Sequence, residues 1–270
     1  MVGNLYRHER AVLFHGKAQA GKSTLLRLID ALFPRQFVSA VSPFDFGDDY
    51  HRAALAGKRV NLVGELPADK EIPSSAFKII TGRDLVGGRQ PYGRVFDFKP
   101  TCAHIFNGND FMTTRDHHPA FWRRWFCFDF CNPVSAADRD EALDEKIIRE
   151  ELPGVAWWAL EGARRLAEKG KFTESPAHHG LIERWRQAAD AVAEFAADPL
   201  AVQFDAAAAG VVRGEAYEAF RTWCKDNERK PLAKRKFFDR LSNLGHVISK
   251  NSQGDWVIRG LRLVQPARYI

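Results

Sequence analysis

Residues 16–24 read GKAQAGKST. Gly16, Gly21, Lys22 and Ser23 fill the fixed positions of the phosphate-loop pattern G-x-x-x-x-G-K-[ST]. The flanks suit it. Ahead lies the apolar run Ala11-Val12-Leu13-Phe14, long enough for a buried strand; behind lies LLRLIDALF (25–33), apolar at helical spacing. Strand, glycine loop, helix is the order that phosphate binding needs, because glycines let backbone N–H groups close on phosphate oxygens and the helix N-terminus points its positive end at the same charge. On this reading Gly16, Ala18, Ala20, Gly21 and Thr24 belong to the backbone cradle. Lys22 reaches the β- and γ-phosphates, and the Ser23 hydroxyl ligates Mg²⁺.

The 270 residues leave room for one large domain or two. No long uncharged apolar run suggests a transmembrane helix, and the first ten residues, MVGNLYRHER, have no signal-peptide core. Cys102, Cys127, Cys131 and Cys224 form no C-x-x-C pair, which fits buried thiols in a reducing cytoplasm. The net charge of +6 is uneven. Residues 211–270 carry 13 Lys/Arg against 6 Asp/Glu, and the remainder 27 against 28. A basic excess confined to the last quarter is the footprint of a module that meets nucleic acid or another anionic surface.

Outward from the loop, residues 39–46 read as a loop or short strand, and 51–57 as a short helix closed by Gly57. Residues 59–65, RVNLVGE, form an apolar strand ending in a carboxylate. Glu65 therefore stands where a phosphate-loop ATPase organises Mg²⁺ or polarises water. Residues 72–81 read as a short helix bearing Lys78, and 82–101 as a hairpin with its basic, aromatic tip near 89–92 and Arg94 beside it. A buried strand, 103–106, leads into Asn107-Gly108-Asn109, either amide being placed to orient a water. His117 and His118 read as a solvent loop. A strand at 126–130 follows Arg123 and Arg124, then a helix at 155–170, a second at 181–197, and a loose linker at 205–210. The tail runs helix (213–227), helix (231–244, ended by Gly245) and hairpin (246–263), a winged-helix order in which Lys234, Arg235, Lys236 and Arg240 lie on the second helix.

With these residues in hand, the chain resembles the superfamily 3 helicases, specifically the helicase half of phage and plasmid primase–helicase proteins. GKAQAGKST resembles their Walker A segment, and KRVNLVGEL (58–66) their single-acid Walker B. FKIITGRD (77–84) is similar to F-K-x-x-T-G-G-D, with Arg83 in place of the second glycine. HIFNGNDF (104–111) resembles the sensor segment, with Asn109 as the match and Asn107 as the alternative. FWRRWFCFDF (121–130) resembles the arginine-finger segment, favouring Arg124, then Arg123. The segment 151–166 and the tail are similar to the family's post-core helix and winged helix. The family's helical collar and primase–polymerase domain are not seen ahead of the loop, so the chain reads as a piece of a longer protein or a short version of it.

The resemblance implies an α/β fold: an AAA+-type P-loop core of three α/β/α layers (1–150), a helical connector (151–205) and a winged-helix DNA-binding domain (206–270). It implies an ATP- and Mg²⁺-dependent DNA helicase, a ring translocase, hexameric, on single-stranded and replication-fork or origin DNA. Such a protein would serve the replication of a phage, plasmid or mobile element, with a primase or polymerase as partner and no membrane. Glu65 would activate water, Asn109 sense the γ-phosphate, and Arg124 act from a neighbouring subunit. Lys78, Arg89 and Arg94 would meet DNA along with the tail cations. Two other readings stay open: a P-loop switch ATPase with a protein-binding winged helix, and a non-enzymatic DNA-binding fragment.

Overall fold

The computed structural model describes residues 8–68, 70–205 and 207–264. It divides into two compact units, 1–185 and 186–270.

The first unit is built on a five-stranded parallel sheet. Strand β1 (Ala11–Gly16) is followed by α1 (Lys22–Ala31), β2 (Val38–Ser39), α2 (Asp49–Ala53), β3 (Val60–Val63) and α3 (Ser74–Thr81). Next come the hairpin β4 (Val86–Arg89) and β5 (Val95–Phe98), then β6 (Ala103–Gly108), α4 (Pro119–Trp122), β7 (Trp125–Phe130), α5 (Leu143–Glu150), α6 (Leu152–Lys169) and α7 (Pro176–Ala189). The sheet order is β2-β3-β6-β1-β7, so the loop-bearing strand lies between β6 and β7.

Both faces of a parallel sheet must be covered, so its strands read as unbroken apolar runs. Val12, Phe14, Ile105 and Phe126 pack with Leu26, and Ile29 and Phe33 join them on the α1 side. On the other side Trp125 stacks on Phe77 of α3 at 4.6 Å and meets Trp185 of α7 at 4.9 Å. The Trp185 indole donates to the Met112 carbonyl at 2.8 Å, which satisfies its N–H in the core. Asn61 supplies the polar fastening. Its amide takes the Val41 N–H at 2.7 Å and donates to the Val41 carbonyl at 2.8 Å, doing for residues 39–41 what a neighbouring strand would do.

Three boundaries differ from the sequence reading. The helix expected at 51–57 begins earlier, because the Asp48 carboxylate accepts from the N–H groups of Tyr50 and His51. The helix expected at 181–197 is two: Asp190 ends α7 and caps α8 (Ala191–Ala197), accepting from Ala193 N–H at 3.1 Å. The loose linker at 205–210 is pinned at both ends, with Ala206 outside the described residues. Before it, β8 (Val202–Phe204) pairs with β12 (Leu261–Leu263), and Asp205 N–H donates to the Gly260 carbonyl. After it come β9 (Val211–Val212), α9 (Arg213–Asp226), α10 (Lys234–Asn243), β10 (Ile248–Lys250) and β11 (Trp256–Ile258).

The second unit thus has the helix–helix–hairpin order read from the sequence, with the antiparallel strands ordered β10-β11-β9. Its core stacks Phe220 on Phe237 at 4.5 Å, with Phe195, Trp223 and Ile258 around them. The unit takes in residues 186–205, which the sequence reading grouped with a connector, because β8 and α8 pack into this core.

Candidate nucleotide site and nucleic-acid surfaces

The phosphate loop leaves β1 at the C-terminal edge of the sheet. Gly16 has φ 138°, and a Cβ there would collide with the Phe130 carbonyl, which also accepts from Lys17 N–H at 3.1 Å. The close approach of β7 alone demands this glycine. Gly21, at φ 88°, caps α1 in the left-handed region and turns the chain into the helix. Lys22 is buried, its ammonium donating to the Gly16 and Lys17 carbonyls at 2.7 and 2.6 Å. Burial pulls the Lys22 pKa below its ordinary value, and the nearby Glu65 carboxylate opposes that shift.

Gly21 and Lys22, but not Gly16 or Ala20, line a cleft of about 610 Å³, within the range of ligand sites. Ala18, Gly21, Lys22, Ser23 and Thr24 line one side, and Glu65, Asn107 and Asn109 another. Asn107, in β6, is buried and donates toward the Ser23 hydroxyl at 3.4 Å, while its carbonyl oxygen is buried without a partner. Asn109 lies past the strand end and is exposed. Of the two amides, Asn107 is the one brought to the loop. A Mg²⁺–nucleotide fits this donor set: a glycine-lined N-terminus, an ammonium, a hydroxyl, a carboxylate, and an amide oxygen left open.

The third wall was missed by sequence reasoning. Residues 134–144 fold over the loop: Val134 N–H donates to the Gln19 carbonyl at 2.9 Å, Arg139 bonds the Gln19 side chain, and Arg27 pairs with Asp144 at 2.8 Å. Asp138, Asp140 and Glu141 also border the cleft. The stretch AADRDEALDE carries no motif, and from Asp138 its pattern reads only as the approach to a helix, so nothing in it signals this placement.

The two arginines lie elsewhere. Both precede β7, and Arg124 C=O accepts from Ala11 N–H, so they stand at the N-terminal edge of the sheet. At about 3.3 Å per residue, the length of β1 separates that edge from the loop by roughly 16 Å. Arg124 is buried and donates to the Ala120 carbonyl at 2.5 Å, with its Nε unpartnered. Burial lowers its pKa, opposed by Glu9 at 3.5 Å. The Arg123 side chain is 64% exposed, with Glu9 at 3.6 Å. Arg123 is therefore the one that projects, although the motif count favours Arg124.

Lys78 is already engaged, paired with Asp116 at 2.7 Å beside Ser74. Burial works to raise the Asp116 pKa, but the hydrogen bonds from Lys78 and Ser74 outweigh it and hold the carboxyl below its usual value. Arg89 and Arg94 are exposed on the β4–β5 hairpin. Lys234, Arg235 and Lys236 are exposed on the first turn of α10. Arg240 serves the fold instead, gripping the buried Asp190 carboxylate at 2.8 and 2.5 Å and tying α10 to the start of α8.

Among the described residues, Glu174, His178 and His179 come close enough together to suggest metal ligation. However, His178 Nδ1 accepts from Cys127 N–H at 3.1 Å, which places the proton of a neutral ring on Nε2 and leaves no lone pair there. Glu174 is held by Arg10 at 2.8 Å. The cluster clasps α7 to β7. No described helix is long and apolar enough to cross a membrane.

Residues 14–124 match the model of a family described as of unknown function, DUF5906. A protein of Acanthamoeba polyphaga mimivirus that carries the name of a helicase is 26% identical over 192 residues, 63% of this chain. The match spans 19% of that viral protein's length. Two apo structures of the C-terminal region of NrS-1 superpose with TM-scores of 0.45. One is 11% identical over 94% of this chain and 67% of its own; the other is 12% identical over 95% and 68%. At the level of class, then, the chain is a mixed α/β protein with a parallel sheet and a weak likeness to a viral protein named as a helicase.

Proposed function

We propose that this chain is the ATP-hydrolysing motor of a DNA helicase: a superfamily 3, AAA+-type core that works as a ring on single-stranded DNA and carries a winged helix. The observation that carries the reading is Asn107 within 3.4 Å of Ser23 at the C-terminal edge of a parallel sheet in which β1 lies between β6 and β7, with Glu65 after the next strand. An acid, an amide and a phosphate loop converge on one cleft, as ATP hydrolysis requires. Lys22 and the loop amides would hold the phosphates. Ser23 and Glu65 would hold Mg²⁺, which would supply positive charge to the phosphates. Glu65 would take the proton of the attacking water, and Asn107 would fix that water or the γ-phosphate. The carboxylates at 138–141 would repel phosphate and so would suit the nucleoside end of the cleft, although Asp138 and Asp140 already accept from Ser135 and Lys146.

The arginine pair supports assembly. With its backbone roughly 16 Å from the loop of its own chain, the exposed Arg123 would serve a nucleotide bound by a neighbour. An arginine supplied in trans is worth about 10³–10⁵ in rate. The cations on α10 support an anionic partner for the second unit. Lys234, Arg235 and Lys236 occupy a first helical turn, where the macrodipole disfavours positive charge; Lys234 lies 5.9 Å from the Tyr217 ring and Arg235 4.0 Å from Asp239, yet all three stay exposed to an anionic partner. Replication of a phage, plasmid or mobile element, with a primase or polymerase alongside, is the setting that the family resemblance gives.

The test is complementation. Lys22→Ala and Arg123→Ala chains are each expected to be inactive, and their mixture to regain part of the turnover, since one supplies the arginine and the other the loop. Arg124→Ala in place of Arg123→Ala measures which arginine acts. A mixture as inactive as its components would remove the trans arginine. A fully active Arg123→Ala, Arg124→Ala double variant would favour a monomeric switch ATPase.

A further inference from the structure

We propose that Tyr92 is a base-stacking residue for single-stranded DNA, held out by a strained turn at the tip of the β4–β5 hairpin. This rests on the motor reading for its ligand and adds the mode of contact. Tyr92 is fully exposed, at 110% of the reference area. A large aromatic ring at a loop tip gains nothing for the fold there.

Its backbone makes the placement dearer still. Gly93 N–H donates to the Gln90 carbonyl at 2.9 Å, closing a β-turn with Pro91 and Tyr92 at its centre. Proline at the first central position and a left-handed second one is the type II pattern, which selects glycine or asparagine at the second. Here that residue is Tyr92, with φ 58°. A bulky side chain kept in a conformation that glycine would adopt freely is a feature from which function is fairly inferred.

The rest of the hairpin is a stiff arm. Arg52 Nε donates to the Gly87 carbonyl at 3.0 Å, and Gly88 sits so close to α2 that a Cβ would lie 3.0 Å from Ala53 Cα. Gly88 pairs with Phe96 and Arg89 with Val95, which fixes the register up to the turn. Arg89 and Arg94 flank the tip and are exposed. An exposed aromatic at a hairpin tip, with an exposed arginine on each side of it along the chain, is the chemistry of single-strand binding: the cations take phosphates and the ring takes a base of any identity.

The experiment compares binding of the full chain to a labelled oligothymidylate and to a strand of abasic sites of equal length. Tyr92→Asn suits the left-handed turn and removes the stacking ring, while Tyr92→Phe keeps the ring. Tyr92→Asn is expected to weaken oligothymidylate binding about tenfold, with no change on the abasic strand. Tyr92→Phe should bind as the parent does, and turnover without DNA should be unchanged in both. Equal loss on the two strands, no loss on either, or failure of the parent to bind DNA at all would overturn the proposal, the last pointing to a protein at the tip. Base-dependent binding in a chain without DNA-stimulated turnover would uphold the stacking role and remove the motor reading alone.

Discussion

Asn107 and Asn109 are two residues apart, and a strand continuing through both would put them on the same face of the sheet. What separates them is the end of β6 at Gly108: Asn107 is held in the strand against Ser23, and Asn109 leaves it. Asn107→Ala should therefore lower the turnover number about 10²-fold, as loss of a positioned polar group in an active site does. Asn109→Ala should leave it within about threefold, less than the loss of one such group. Steady-state kinetics on the two variants checks this, and the reverse order would restore the sensor favoured by the motif. No pattern in the sequence could place a strand end to one residue, so this choice was not legible there, whereas the strand, loop and helix that bring Lys22, Ser23 and Glu65 to one cleft rest on local pattern. His104 gives a second residue-scale expectation. It lies fully inside the sheet beside Asn61, and burial pushes its pKa down to about 3. The folded state therefore refuses a proton that the unfolded chain accepts near pH 6.5. Stability should be complete above that pH and fall toward pH 3 at a slope approaching about 1.4 kcal/mol per unit. His104→Asn should flatten that slope in denaturant titrations between pH 6 and 4; an unchanged slope would place the acid sensitivity elsewhere.

At the scale of elements, the basic side chains divide by what they touch. Arg240 and Lys78 are bound to Asp190 and Asp116, whereas Arg89, Arg94, Lys234, Arg235 and Lys236 are exposed. Arg240→Ala leaves the Asp190 carboxylate buried without its cation and should cost on the order of 3 kcal/mol, read as a lower denaturation midpoint. It should leave the salt dependence of DNA binding as it was. The Arg89→Ala, Arg94→Ala pair should do the opposite: little change in stability, and a log–log salt slope on single strands shallower by about 1.4, roughly 0.7 for each phosphate no longer neutralised. Helix α10 and its charge were visible in the sequence, but not that one of its four cations serves the fold, because Asp190 lies far away along the chain. The split of the expected helix at Asp190 has the same origin. A capping aspartate inside an apolar pattern looks like one polar residue on a long helix until its partner arrives from α10.

For the whole molecule, the core strands along the chain and the glycine loop were legible because each rests on local pattern: apolar runs, a turn residue, a helix behind it; the order of the strands in the sheet was not. The wall over the loop at 134–144 was not, since its contacts are long-range and its residues carry no motif. The boundary between the units moved for a similar reason, β8 finding its partner in β12 across most of the second unit. The central claim is that the loop, Glu65 and Asn107 hydrolyse ATP in an assembly that grips single-stranded DNA. The measurement that tests it most directly is ATP turnover with and without single-stranded DNA, on this chain and on Lys22→Ala, with molecular mass determined at the same protein concentration. The account predicts turnover that rises with DNA, in a species several chains in mass, and that disappears in Lys22→Ala while the fold persists. A monomer with no turnover, or turnover that survives Lys22→Ala, would contradict it.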